Sequence, residues 1–180
     1  MKNFFFSFPL LFFVSGLFAQ TDVTINPIGL LFSNIGISAE RPISDNFGLE
    51  GTANFSFSPY NVFGDDFSSN GFGLRALGKY YFKPDQGIDK FNIGPYARFG
   101  YNSINFTGDK VKNIRLAVGF YAGYKWVSKG HIIFELGLGL GRAFLNNYSS
   151  NDASFDAGDW PGFNIDGTGK LAIGYRFGTQ

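Results

Sequence analysis

The sequence predicts an all-β protein, an eight-stranded antiparallel up-and-down transmembrane β-barrel, and three observations carry that prediction. Apolar residues recur at every second position over seven separate stretches, the period of a strand with one apolar face. The connections between these stretches alternate between short and long, as in a barrel with tight turns on one side of a membrane and loops on the other. The third observation is composition: the 180 residues are 44% hydrophobic and 19% aromatic, with 25 Gly and 24 Phe, and only 16% are charged. A soluble domain carries about 25% charged residues.

The same figures remove much chemistry. Without Cys there are no disulfides, thiolate metal sites or cysteine nucleophiles, and a single His cannot build a multi-histidine metal site. A formal net charge of +1 is not the footprint of a nucleic-acid binder. The length fits one domain.

Residues 1–19 read as a cleaved secretory signal peptide. Lys2 supplies a positive start, Phe4 to Phe18 is nearly unbroken hydrophobe, and Ala19 is a small residue at the cut before Gln20. The apolar run is shorter than the roughly 20 residues of a helical span, and Pro9 interrupts it. Residues 20–180 are the expected barrel domain, formally neutral once Lys2 is removed.

Segment 23–32 is apolar on both parities and contains Pro27. Topology asks for a strand there. If the C-terminal strand descends to the short-turn side, the strand at 34–42 descends too and needs an ascending strand before it. The competing reading is an irregular segment packed against or within the barrel. In 34–42, Ile35, Ile37 and Ala39 alternate with Gly36, Ser38 and Glu40, and Ser44-Asp45-Asn46 makes a turn. In 47–57, Leu49, Ala53 and Phe55 oppose Glu50, Thr52, Asn54 and Ser56; in 72–82, Leu74, Ala76 and Tyr80 oppose Arg75, Leu77, Lys79 and Tyr81. In 91–101, Ile93, Pro95, Ala97 and Phe99 oppose Asn92, Gly94, Tyr96 and Arg98.

The stretch 113–127 is the most regular, with Ile114, Leu116, Val118, Phe120, Ala122, Tyr124 and Trp126 on one parity and Arg115, Ala117, Gly119, Tyr121, Gly123 and Lys125 on the other. Ser128-Lys129-Gly130 turns the chain into Ile132, Phe134, Leu136, Leu138 and Leu140, which alternate with Glu135 and three glycines. In 163–177, Ile165, Leu171, Ile173 and Tyr175 oppose Asp166, Thr168, Lys170, Gly174 and Arg176. Short connections fall at 43–46, 84–90 and 128–130, long ones at 59–70, 103–112 and 145–162.

Periodicity alone does not say which face is inside, because a soluble lipocalin-like barrel also alternates, with its apolar face inward. The polar face here is mostly Gly, Ser, Asn and Thr, which suits the crowded lumen of a narrow barrel. Glu40, Glu50 and Glu135 lie on it with Arg75, Lys79, Arg98, Arg115, Lys125, Lys170 and Arg176. In a lumen these must cross-pair to avoid a desolvation cost of several kcal/mol each. They are the predicted lumen charge network, and an open channel is not expected at eight strands. Aromatics fall near strand ends: Phe47, Tyr80, Phe82, Trp126, Tyr175 and Phe177 beside short turns, and Phe55, Phe57, Tyr60, Phe99, Tyr101, Phe144 and Phe163 beside long loops. Two such belts flanking an aliphatic band are what a membrane interface selects.

In this architecture residues 22–178 resemble the small eight-stranded outer-membrane barrels of Gram-negative bacteria, the OmpA/OmpX-like group. The last strand is similar to that family's assembly signal at Lys170, Tyr175 and Phe177; Ala172 stands where Gly is usual, and Gly178-Thr179-Gln180 follow the aromatic that normally ends the chain. The resemblance implies a bacterial outer-membrane location, contact with outer-membrane lipids and lipopolysaccharide, insertion by the barrel-assembly machinery, and a monomer without cofactor or nucleic-acid partner.

Candidate chemistry is sparse. Some barrels of this kind modify lipids with a His, a Ser and an acid near the outer leaflet. The sole histidine, His131, instead follows the turn at Gly130 and belongs at the periplasmic rim. The three glutamates read as a structural ion network rather than paired catalytic carboxylates. Asp65-Asp66 and Asp152, Asp156 and Asp159 lie in loops without the ligand spacing of a calcium loop. The expectation is a non-enzymatic, porin-like barrel serving membrane integrity or surface interaction. A lipid-modifying barrel enzyme and a soluble ligand carrier are the alternatives.

Overall fold

The computed structural model describes residues 20–57, 67–106, 109–150 and 164–178. Eight strands follow in order: β1 (Thr21–Asn26), β2 (Asn34–Ser44), β3 (Phe47–Ser56), β4 (Phe67–Tyr81), β5 (Lys90–Phe106), β6 (Asp109–Val127), β7 (Ile132–Ser150) and β8 (Ile165–Phe177). Each pairs antiparallel with the next, and β1 pairs with β8, so the sheet closes into an up-and-down barrel. On the β1 side β8 is paired only from Ile173 to Phe177. The leader at 1–19, Tyr60, Phe163 and the loop aspartates Asp65, Asp66, Asp152, Asp156 and Asp159 lie outside the described residues.

The alternation read from the sequence sets the faces. Along β3 and β8 exposed and buried residues alternate almost without exception. The exposed set is mostly apolar, with Arg142 a charged exception on β7: Phe120 is 74% exposed, Leu138 and Leu140 73% and Phe144 68%. The buried set includes Asp22, Glu40, Glu50, Lys79, Lys125, Glu135 and Lys170. Polarity is therefore inside out relative to a water-soluble core. Leu77, Tyr96 and Tyr121 form a small cluster within the interior.

Three sequence expectations are corrected. Segment 23–32 is not one strand: β1 starts at Thr21 and ends at Asn26, and Pro27–Phe32 is a 3₁₀ helix. Pro27 sits in its first turn, where a missing N–H costs nothing, and Ser33 closes it in the left-handed region at φ 53°. The double-parity apolar pattern fits a 3₁₀ segment with three residues per turn better than a period of two.

The long connection at 103–112 is also absent, because β5 runs to Phe106 and β6 begins at Asp109 in continuous register. Likewise β7 continues to Ser150. Apolar alternation marks where an outward face must be apolar. Beyond it strands continue with polar residues such as Ser103, Asn105 and Lys112, which fall in the expected loop.

In β7 the register skips Phe144: Leu145 faces Leu116 and Ala143 faces Ala117. This bulge puts one extra residue into β7 and switches its inward parity. Below it Glu135 and Ala143 are buried; above it Asn146 accepts a hydrogen bond from the buried Asn113 Nδ2 at 2.9 Å. The short-turn end is closed from within. The β4–β5 turn folds beneath the barrel with Ile88 fully buried, and Arg176 donates to the carbonyls of Gln86 and Ile88.

Candidate functional site

The charged lumen is the site the fold builds. Glu40 and Glu50 stand directly opposite each other on β2 and β3, a like-charge pairing that destabilises a sheet unless a cation intervenes. Lys79, projecting from β4, is that cation. Its ammonium lies 2.9 Å from Glu40, 2.5 Å from Glu50 and 2.6 Å from Glu135. The three carboxylates have oxygens within 4.8 Å of one another, close enough to ligate a metal ion. Lys79 Nζ occupies that focus with no exposed surface, so the protein carries its own cation there.

The pairing extends up and down the barrel axis. Lys170 on β8 bridges Glu50 at 2.6 Å and Glu135 at 2.7 Å. Lys125 bridges Glu40 at 2.6 Å and Asp22 at 2.9 Å, and Asp22 also takes the Arg176 guanidinium at 2.7 Å. With its amide turned oxygen-inward, Gln20 accepts from Arg176 at 2.9 Å. Arg75 reaches Glu50 at 3.1 Å and donates to Thr168 at 2.7 Å, while its Nε is buried without a partner.

Tyrosines finish the carboxylates. Tyr81 donates to Glu40 at 2.5 Å, Tyr121 to Glu135 at 3.0 Å and Tyr96 to Asp166 at 2.9 Å. The Lys125 ammonium also lies 5.1 Å from the Tyr81 ring centroid, within cation–π range. Tyr121 can lie across β6 and β7 because Gly123 and Gly137 flank it; a Cβ at Gly123 would come within 2.6 Å of its hydroxyl.

The structure divides the ten predicted network residues. Glu40, Glu50, Arg75, Lys79, Lys125, Glu135, Lys170 and Arg176 form one buried, continuous cluster with Asp22. Arg98 and Arg115 sit apart, nearer the long-loop end, and approach Asp166 at 3.3 and 3.6 Å. Among the described residues the interior thus holds seven basic side chains against six acidic ones, Asp22, Glu40, Glu50, Glu135 and Asp166 on the strands and Asp89 on the β4–β5 turn, a surplus of one positive charge. Sequence reading missed Asp22 because the first strand was started two residues late, at 23 rather than Thr21. It placed Asp166 on the inward parity yet left it unpaired.

Of the residues resembling an assembly signal, Lys170 points inward and is committed to Glu50 and Glu135, whereas Tyr175 and Phe177 face outward with rings 5.0 Å apart. Ala172 is buried between them on the inward side. His131 lies at the short-turn end and packs edge-on against Tyr175 at 5.9 Å. The outward aromatics there touch ring to ring, Tyr80 on Phe82 at 5.0 Å and Phe82 on Phe91 at 5.5 Å.

With neighbouring strands and axial layers paired in this way, the lumen from Asp22 up to Arg75 is a packed polar core. No family model, curated protein or solved structure matches this chain.

Proposed function

We propose that the protein is a non-enzymatic, monomeric integral barrel of a bacterial outer membrane, exported by a cleaved leader at 1–19 and inserted by the barrel-assembly machinery. In this reading Lys170, Tyr175 and Phe177 serve as the insertion signal. The protein contributes to membrane integrity or surface interaction, in contact with outer-membrane lipids and lipopolysaccharide.

One observation carries the reading: the outward face is built mostly of Leu, Ile, Val and Phe, with Phe120, Leu138 and Leu140 about three-quarters exposed, while Asp22, Glu40, Glu50, Lys79, Lys125, Glu135 and Lys170 are buried. A soluble monomer rarely shows an apolar patch beyond a few hundred Å², whereas hydrocarbon requires one. The ring-to-ring aromatics at the short-turn ends support an interfacial girdle. The inside-out polarity argues against a soluble carrier, whose ligand cavity would be apolar. Against a lipid-modifying enzyme stands the rim position of His131, far along the barrel from the long-loop end.

Fractionation tests this reading. The chain should require detergent for extraction, float with phosphatidylcholine vesicles after refolding, and migrate faster on gels unheated than boiled. Recovery in the soluble periplasmic fraction, with no flotation, would show the reading to be wrong.

A further inference from the structure

The barrel wall is incomplete on one side. β8 is paired with β7 along its whole length, up to Ile165 against Arg142. On its other edge it meets β1 only from Ile173 to Phe177. Above that point β1 has given way to the 3₁₀ helix, and β2 resumes at Asn34. The lower lip of this gap is held by one side chain. Asn26 Nδ2 donates to the Gly169 carbonyl and Asn26 Oδ1 accepts from Leu171 N–H, both at 3.3 Å, replacing the two backbone bonds of an antiparallel neighbour.

A cavity of about 460 Å³ opens at this seam, and its lining comes from both faces of the wall. Ser38, Thr52, Arg75 and Arg98 line it from the lumen, and Leu138 and Leu171 from outside. Between them the outward positions of β8 are Gly167 and Gly169. A side chain at Gly167 would meet nothing within 4 Å, and one at Gly169 only Leu138 Cδ2 at 4.0 Å. The glycines therefore leave open space on the outer surface beside the gap, bordered at Gly169 by Leu138.

The inner end is suited to an anion. Arg75 is buried, lines the cavity, and has an unpartnered Nε. Arg98 lines it with a side chain 37% exposed. A planar guanidinium with a free donor is matched to a carboxylate, which accepts at two oxygens. The positive surplus of the lumen favours the same sign of ligand. Irregular backbone at this depth is tolerated where it lines a cavity.

We propose that the β1–β8 seam is a side entrance for a single-chain amphiphile with an anionic head, a long-chain carboxylate, whose head reaches Arg75 and Arg98 while its tail lies along Gly167, Gly169 and Leu138. The volume is in the lower half of the range of about 300–1,000 Å³ for small-ligand sites, which suits one alkyl chain rather than two. The inference rests on the membrane-barrel reading, because it needs the tail to emerge into hydrocarbon.

The test uses the full barrel refolded in phosphatidylcholine vesicles and tritiated palmitate as the probe. Flotation is measured first; a chain that does not float overturns the membrane reading and this inference with it. In floating barrels palmitate should bind saturably, one per chain, and methyl palmitate should bind at least about tenfold more weakly, the effect of losing a charge-assisted contact. Arg98→Gln and, independently, Gly169→Leu should each weaken palmitate binding by about tenfold or more. The second leaves every lumen charge in place and fills only the open space beside the gap. Uptake that is linear and equal with and without protein overturns the proposal, as does equal binding of the methyl ester. So does wild-type binding by Gly169→Leu, or full displacement of palmitate by millimolar acetate, which would mark a site for small anions alone.

Discussion

Replacing Lys79 with Met removes one ammonium and nearly nothing of the side chain's length. Its three partners lie at 2.5, 2.6 and 2.9 Å, and the group has no exposed surface. At an effective dielectric of about 20 each pair carries roughly 6 kcal/mol of gross attraction. Most of that sum is offset by the desolvation of the ammonium, several kcal/mol, and by repulsion from Arg75, Lys125 and Lys170. What survives is the loss of about 3–5 kcal/mol typical of breaking a buried pair from one side.

The remaining partners soften the loss unequally. Glu50 keeps Arg75 and Lys170, Glu135 keeps Lys170, and Glu40 keeps Lys125. Equilibrium urea unfolding in vesicles reads the cost. Lys79→Met should lose about 3–5 kcal/mol, and adding Glu50→Gln should restore part of it, with a coupling of about 1–3 kcal/mol between the two sites. If Lys79→Met loses less than about 1 kcal/mol, the loss expected of an exposed pair, the reasoning from buried charge fails.

Deleting Phe144 should remove the β7 bulge and leave Asn146 and Tyr148 opposite Arg115 and Asn113, because Leu145 then follows Ala143 in unbroken alternation, so the deletion should be tolerated about as well as Phe144→Ala; thermal unfolding of the two variants compares them. Arg176→Ala should release the β4–β5 turn, seen as faster amide hydrogen exchange at 87–89, with Asp22 left to Lys125 alone. In planar bilayers the wild-type barrel should give no steady ion current, because its axis is filled; a stable open conductance would contradict the packed lumen. At the short-turn end Asp85 accepts from the half-buried Lys90 and holds that ammonium above its usual range. Asp85→Asn should return Lys90 to the ordinary lysine range in an NMR titration. Because a raised lysine stabilises below its titration and loses the effect as pH rises through it, the variant should be slightly less stable than wild type at neutral pH and converge with it in alkali.

The strand faces were legible because alternation is local: Leu49 against Glu50, or Leu136 against Glu135, needs no knowledge of the rest of the chain. Which charges meet was not. Lys170 lies 120 residues from Glu50, and Arg176 lies 154 from Asp22. Their heights are set by strand stagger and by the bulge at Phe144, neither of which leaves a mark in composition. This is why Arg98 and Arg115 read as members of one network and yet belong with Asp166. The tyrosines were visible as inward residues, but their carboxylate partners lie up to 70 residues away. The seam was hidden for another reason: Pro27 marks a disturbance, but only the closed sheet reveals that β8 loses its neighbour there.

The placement of bases on the last strand bears on the order in which such a barrel can be made. Until β8 arrives, Glu135 lacks Lys170, Asp22 lacks Arg176, and Glu50 lacks one of its three cations. In the lower cluster a chain halted after β7 would set only Arg75, Lys79 and Lys125 against Asp22, Glu40, Glu50 and Glu135, one carboxylate too many in a compartment that water is leaving, at several kcal/mol for the unmatched charge. Completion is rewarded late and all at once, as β8 brings two cations and closes the sheet against β1 in the same movement. A truncated or stalled copy has no comfortable halfway form, so the interior itself acts as a proofreader of the finished C-terminus.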